Sequence, residues 1–521
     1  MKRILERLDM IAEVTQHSLS AKWLERAAFL SILLMALSAP HSIAATQTAW
    51  LVGLVCWAAR MFIKPRPAFR FRWIDAALLS FVGWTILSSF LSYEPAISLD
   101  KLRGVGLFLI LYLVTCNLRS MRAVVLVAAV LITSCMFNVV LVPLERVVGR
   151  GVEIYGVRPD GAFAKAGLAN GDAILKVNGK KVSTPEEILA EITKTESASL
   201  LLHRPDSYPS RTIRRVDLPQ AATVFDSLGF ESWKKNHKWR AMGFYGHFTT
   251  YSEVLQLVGS LVLGLLIAGF FAAIRTNIPG TAPADRLFSK RNAILAICLV
   301  LISLALLLTG TRASQLGMMA SAFAMVVSIG NRKLVFAMFL IAIPVSLAGY
   351  LVIQQTRQPG ETNEYRKMMW RDGVRLATEK PRHLLVGVGM DSLKKRWPEW
   401  GLFDGGNMPM GHFHSTPVQL AAERGLPALM LWIVFLALLA RTLWRGLKRS
   451  VNAIQSGIIL GGIGGLVGFV TAGMVHYNLG DGEVAMVFYL IAGAALAASR
   501  FTDLDTRSAD PMPDISLRTA A

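Results

Sequence analysis

The sequence predicts an all-α polytopic membrane protein of about twelve transmembrane helices, with a small α+β domain inserted after the fifth. Three observations predict it. Hydrophobic residues make up 53% of the 521 and charged residues 17%, with a mean hydropathy of +0.45, which is the composition of a membrane-spanning chain. Apolar runs close to the ~20 residues that cross ~30 Å of hydrocarbon recur along most of its length. Basic residues gather in every second connection between those runs, as the positive-inside bias requires.

In order, the runs fall at roughly 26–43, 46–63, 73–92, 103–118, 122–143, 251–274, 292–309, 313–330, 333–353, 417–440, 454–475 and 483–499. The first follows a polar N-terminus without a small-residue cleavage site, so it reads as a retained span. The strongly basic connections contain Arg60, Lys64, Arg66, Arg70 and Arg72, then Arg119 and Arg122, then 275–291, Arg332 and Lys333, and 441–449. Placing all of them in the cytoplasm puts both termini there too. The connections 44–46, 92–102, 144–250, 310–312, 354–416 and 476–482 then lie outside, the periplasmic side of a bacterial inner membrane. This distribution accounts for the formal charge of +20 and excludes a nucleic-acid partner. The partner it implies is the lipid bilayer. Cys56, Cys116, Cys135 and Cys298 all lie inside apolar runs without metal-ligand spacing and read as inert core residues.

Two outside segments exceed linker length. In the first, alternating strands flank a short Ala-rich helix, and Asn170-Gly171-Asp172 and Asn178-Gly179 make tight turns. A helix starts near Ser183, with Pro185, Glu186 and Glu187 in its first turn. The run Ala166-Gly167-Leu168-x-x-Gly171-Asp172-x-Ile174-Leu175-x-Val177-Asn178-Gly179 resembles a bacterial PDZ domain over 150–218. That resemblance implies a periplasmic peptide or protein partner added at a sheet edge, set against a structural or docking role. The strand and loop that would hold a terminal carboxylate are not identifiable before Gly151.

The second long segment ends in Gly411-His412-Phe413-His414-Ser415-Thr416-Pro417, where a polar loop of about sixty residues enters an apolar span. An enzyme acting on a lipid-borne substrate would put its chemistry at such a border. Arg312 stands in a tight outside turn, and a charge at that depth marks a functional site unless it merely snorkels. Arg366, Arg371 and Arg375 share a broad face of one amphipathic helix pattern, either a solvated face or an anion site. His412 and His414 share a face if the backbone is extended. The pair does not support a metal site even with His247 and His476 added, and no metal or cofactor is expected.

Five motifs occur in order: Arg240-x-x-Gly243-Phe244, Thr309-Gly310-Thr311-Arg312-Ala313, Arg366-x-x-x-Trp370, Gly387-Val388-Gly389-Met390 and His414-Ser415-x-x-x-Gln419-x-x-x-Glu423-x-Gly425. The set resembles the O-antigen ligase and polymerase family of membrane glycosyltransferases (WaaL/Wzy-type, GT-C-like). Ser415 stands where the family usually has Asn, and Ala428 where it usually has Gly. The resemblance implies metal-independent, inverting transfer of a glycan from an undecaprenyl-pyrophosphate carrier to an acceptor hydroxyl of lipid A core, a growing polymer or a protein, as in lipopolysaccharide biosynthesis. In that reading Arg312, Arg240, Arg366 and Arg371 hold the pyrophosphate and His414 is the catalytic base. His412, Ser415, Gln419, Glu423, Trp370 and His247 support them.

The layout becomes 1–145 for spans one to five, 150–218 for the PDZ-like domain and 240–353 for spans six to nine. A periplasmic catalytic loop at 354–416, spans ten to twelve at 417–500 and a cytoplasmic tail at 501–521 follow. An intramembrane protease would need His-Glu-x-x-His or Gly-x-Ser-x-Gly, and neither is present. A transporter with a regulatory domain would carry charges in mid-span, whereas these spans are nearly free of acidic residues.

Overall fold

The computed structural model describes residues 2–15, 18–67, 71–204, 208–237, 239–275, 289–330, 361–408 and 411–501. The expected ninth span at 333–353, Arg332 and Lys333, the start of the catalytic loop at 354–360 and the tail beyond 501 lie outside the described residues. The chain divides into two compact units, Met1–Asn138 with Phe244–Ala521, and Val139–Gly243.

The larger unit is helical. Among the described residues seven helices are long and apolar enough to cross a membrane: Trp73–Phe90, Met121–Val148, Phe248–Ile274, Lys290–Leu308, Arg312–Ile329, Thr416–Lys448 and Ala453–Gly473. Gly482–Ala498 is shorter but as apolar. Side-chain caps set several starts: Ser42 accepts from the Ala45 amide, Asn452 from Gln455 and Asp481 from Val484.

The expected first span is a helix that begins early, Leu19–Ser38, with Ser18 as its cap. Its polar first turns are absorbed by ion pairs. Arg26 donates to both carboxylate oxygens of Asp9 at 2.9 and 2.6 Å, and Glu25 takes Arg60 at 2.7 Å and Arg119 at 2.6 Å. The expected fourth span is no single helix. Gly104 and Gly106 weaken it, and it runs as Leu102–Val105, a 3-10 turn Gly106–Phe108, and Leu109–Asn117.

Phe248–Arg275 and Ala453–Gly473 pack backbone to backbone. A Cβ on Gly264 would stand 2.4 Å from the Gly461 nitrogen, and one on Gly457 2.7 Å from the Leu265 Cα. Buried polar groups tie in a third helix, Arg312–Ile329: Ser252 and Ser314 hydroxyls meet at 2.7 Å, and Gln256 Nε2 donates to Ser321 Oγ at 3.1 Å.

The smaller unit is a six-stranded antiparallel sheet of β1 (Arg150–Tyr155), β2 (Ala173–Val177), β3 (Lys180–Lys181), β4 (Ser197–His203), β5 (Ser210–Arg214) and β6 (Ser232–Asn236). Their order is β5-β4-β2-β1-β6, with β3 beside β2. Val152, Ile154, Phe163, Ile174, Leu200 and Phe230 are among its core residues. The helix expected near Ser183 is Pro185–Ile192, capped by Thr184 Oγ1, while Glu187 reaches back to the Ser183 amide at 2.7 Å. The sheet outruns the expected limit at 218, because β6 pairs with β1 through Glu153–Lys234 and Tyr155–Ser232. Ser-Trp-Lys-Lys-Asn carries one apolar residue in five, too weak an alternation to announce a strand. Arg240 belongs to this unit, next to the buried Trp239, whose ring lies 4.0 Å under the Arg150 guanidinium. Arg240 is half-buried there.

Candidate functional site

The site of the larger unit is built around Phe413. This ring is fully buried against Phe403, with centroids 5.4 Å apart. Gly373 of the Glu361–Thr378 helix makes the room for it: a Cβ there would stand 2.3 Å from Val418 Cγ1 and 3.0 Å from the Phe413 ring. The Phe413 amide donates to Gln419 Oε1 at 2.8 Å. With Phe413 turned inward, His412 and His414 come together, their rings edge to face at 4.1 Å.

His414 has a left-handed backbone, φ +49°, a conformation that costs a side-chain-bearing residue about 1–3 kcal/mol and concentrates at functional sites. Its amide donates to His412 Nδ1 at 3.2 Å, and its carbonyl takes the Trp370 indole N–H at 3.4 Å. Ser415 then starts the Thr416–Lys448 helix as its buried N-cap residue without using its hydroxyl as a cap.

A third imidazole joins from the connection after Ala453–Gly473. The His476 ring lies 6.3 Å from both His412 and His414. Its Nδ1 meets Glu253 Oε1 at 2.8 Å. Thr416 Oγ1 lies 3.1 Å from the His476 carbonyl and 3.0 Å from Asn478 Oδ1, which fixes this connection to the helix start.

The glycine motif forms a wall behind the helix. The amides of Val388 and Gly389 donate to the carbonyls of Ala422 and Glu423 at 2.9 and 2.8 Å, and the Asp391 amide to Glu423 Oε1 at 2.8 Å. Gly387 and Gly425 allow the approach: a Cβ would stand 2.2 Å from the Glu423 carbonyl carbon or 2.0 Å from the Leu385 oxygen. Ser88 and Ser98 hold the same wall from the other side, donating to the carbonyls of Val386 at 2.6 Å and Met390 at 2.9 Å.

Electrostatics sort the imidazoles. Burial, reinforced by neighbouring positive groups that include His476, lowers His412 to about 4 and His414 to about 3. Arg366 is among the cations acting on His414. Arg366 is itself pushed down, first by burial and then by Arg312, which places the two guanidiniums in each other's field. Among the described residues neither forms an ion pair. Arg312 opens its helix, where a cation opposes the helix dipole by about 0.3–1 kcal/mol, so it is not there to stabilise that helix. His476 goes the other way: burial lowers it, but Glu253 and Asp481 together outweigh this and the group is raised.

The structure therefore brings His412, His414, Ser415, Trp370 and Gln419 together, with Arg366 and Arg312 in the field around them. Arg371 is exposed and acts on Glu364. Arg375 is spent on the carbonyls of Trp400 and Gly401, at 3.3 and 2.9 Å. Glu423 tethers the glycine wall and does not orient a histidine. His247 is exposed beside the start of Phe248–Arg275, accepts the Thr249 amide at 3.2 Å, and adds to the positive field on both loop histidines. Arg240 lies in the smaller unit.

Sequence reasoning weighed His476 only as a metal ligand and passed over Glu253. The signal was available: Glu253 is the one acidic residue of the Phe248–Arg275 helix. Among the described residues no group of three or more His, Cys, Asp or Glu is arranged to hold a metal ion.

A stretch of 43 residues, 8% of this chain and 6% of its relative, is 56% identical to the magnetosome formation protease MamE of Paramagnetospirillum magneticum. A 42-residue stretch, 8% of this chain and 5% of the relative, is 55% identical to the protein of the same name from Magnetospirillum gryphiswaldense. The chain thus spans only a small fraction of the length of either relative. Residues 297–433 match the family model described as O-antigen ligase, a range that takes in Arg312, Arg366, Trp370, His412, His414 and Glu423. Residues 153–203 match the PDZ domain model, within the antiparallel sheet. The chain thus carries a region that matches the O-antigen ligase model and, ahead of it in sequence, a region that matches the PDZ domain model.

Proposed function

We propose that the protein transfers a glycan from an undecaprenyl-pyrophosphate carrier to an acceptor hydroxyl at the periplasmic face of the inner membrane. The observation that carries this reading is the pair Arg312 and Arg366, in each other's field without a carboxylate partner among the described residues, beside a neutral His414. Two neighbouring guanidiniums that repel each other become favourable when a multiply charged anion lies between them, and phosphate oxygens match their fork geometry.

The acceptor oxygen attacks the anomeric carbon as its bond to the phosphate oxygen breaks. The hydroxyl proton passes to an imidazole nitrogen of His414. The bonding electrons leave with the diphosphate, whose growing negative charge Arg312 and Arg366 stabilise. Attack opposite the leaving group inverts the anomeric centre. Burial lowers His414 first and the surrounding positive field adds to it; a bound diphosphate offsets that field, so the base gains proton affinity when its substrate is present. Trp370 fixes the carbonyl of His414, and Gln419 fixes the neighbouring Phe413 amide. In the smaller unit, the outer edge of β6 suits addition of an extended periplasmic peptide.

Deleting the gene and running a lipopolysaccharide gel tests the reading. Carrier-linked polymer accumulating over uncapped core identifies a ligase. Core bearing one repeat unit identifies a polymerase, and unchanged ladders with unglycosylated protein a protein O-oligosaccharyltransferase. Unchanged ladders with fully glycosylated protein would remove the function.

A further inference from the structure

We propose that His476, backed by Glu253, is a further cationic contact for the carrier's diphosphate, a role that rests on the transfer reading above. Glu253 is 1% exposed, and its Oε1 accepts from His476 Nδ1 at 2.8 Å. Its other oxygen, Oε2, has no hydrogen-bond partner among the described residues. An unpaired buried carboxylate oxygen is costly, and His476 is the group in ion-pair contact with this side chain. With Nδ1 committed to Glu253, the remaining polar edge of the ring is Nε2–H. The side chain keeps 17% exposure, and the ring stands 6.3 Å from both loop histidines, so the ring belongs to the same cluster as His414.

The division of labour among the three rings follows from what each is bonded to. His412 spends its Nδ1 on the His414 amide and has no carboxylate in ion-pair contact among the described residues. His414 lies in the field of Arg366, His412, His476 and His247, and stays neutral as a base must. His476 faces Glu253 and Asp481 on one side of the balance and Arg366 on the other, and the acids win. It therefore adds a positive charge beside Arg366 and Arg312, while Glu253 acts as its positioning residue. Both lie outside the 297–433 match, so this contact is supplied by the chain on either side of the ligase region.

The test is binding of undecaprenyl diphosphate, without glycan, to the purified full-length protein in nanodiscs between pH 6 and 9. Wild type is expected to lose affinity as pH rises and the imidazolium is discharged. His476→Gln is expected to bind about 10-fold more weakly at pH 7 and to show a flatter pH dependence than wild type. His476→Arg, which keeps a charge at every pH, restores the affinity and holds it at pH 9. Glu253→Gln weakens binding in the same direction, because the ring loses the anion that keeps it charged. The ionisation of the ligand itself is common to all variants and drops out of the comparison. Wild-type affinity in His476→Gln overturns the proposal, and so does loss of affinity that His476→Arg fails to restore, which marks a packing role. Should His476→Gln not fold, Glu253→Gln with unchanged affinity and pH dependence overturns it alone. If wild type and Arg366→Gln both fail to bind the diphosphate at all, the transfer reading falls with it. If wild type binds and only Arg366→Gln weakens binding, the transfer reading stands and the His476 contact falls.

Discussion

His414 is held in a backbone conformation that few side chains accept, and this separates its chemistry from its fold. Asparagine tolerates the left-handed region better than most residues. His414→Asn is therefore expected to leave thermal stability within about 0.5 kcal/mol while cutting transfer by about 10²–10⁴-fold; equal losses in both would mean the residue only shapes the loop. The acidity of the loop histidines gives a second expectation. His414 is lowered to about 3, so in the free protein the neutral form persists well below the ordinary imidazole value of 6.5. A profile of kcat/KM should stay level from pH 7 down through 6.5, where an unshifted base would have lost half its active form. The same shift carries a cost in stability. Below 6.5 the unfolded chain binds protons on His412 and His414 that the folded chain refuses, so stability falls with falling pH and is recovered above 6.5. His414→Asn removes one of these two sites, and its acid unfolding should be less steep by about one proton. At this scale the histidine pair was legible in the sequence, since two histidines at the border of a polar loop and an apolar run are conspicuous. The sequence did not expose that Glu423 serves the backbone of a neighbouring loop, because a carboxylate four residues from Gln419 on one helix face looks the same in either role.

The Thr416–Lys448 helix shows what an element must give up to hold such a site. It breaks at Gly425, φ +81°, and Pro427 follows. Gly425→Ala would place a Cβ 2.0 Å from the Leu385 carbonyl in a conformation alanine resists, and costs about 2–5 kcal/mol from clash and strain together. Detergent-solubilised protein should melt lower in proportion, and its activity should drop even at temperatures where it remains folded, because the wall 387–391 would be displaced. Ala428→Gly, which removes only a buried methyl, should do far less. Helix existence was legible from hydropathy for the seven long spans. The broken fourth span was not, since mean hydropathy is blind to the two glycines that interrupt it, and β6 was not, since its alternation is nearly all polar.

The whole molecule is two units with separate cores. The smaller one buries its own cluster around Phe163 and Phe230, stacked at 5.6 Å. A soluble fragment spanning 149–237 should therefore unfold cooperatively, and Phe230→Ala should cost it about 3–5 kcal/mol in urea. A fragment cut at 218, where the sequence alone would end the domain, lacks β6 and should be markedly less stable than the longer one.

That same sheet has a use for the chain's architecture. Arg150 at the start of the first strand pairs with Asn236 at the end of the last, so the polypeptide arrives and departs side by side. A module with such a stem is a cassette. It can be lifted out and its ends rejoined by a few glycines, which makes the part played by the module separable, by simple splicing, from that of its host.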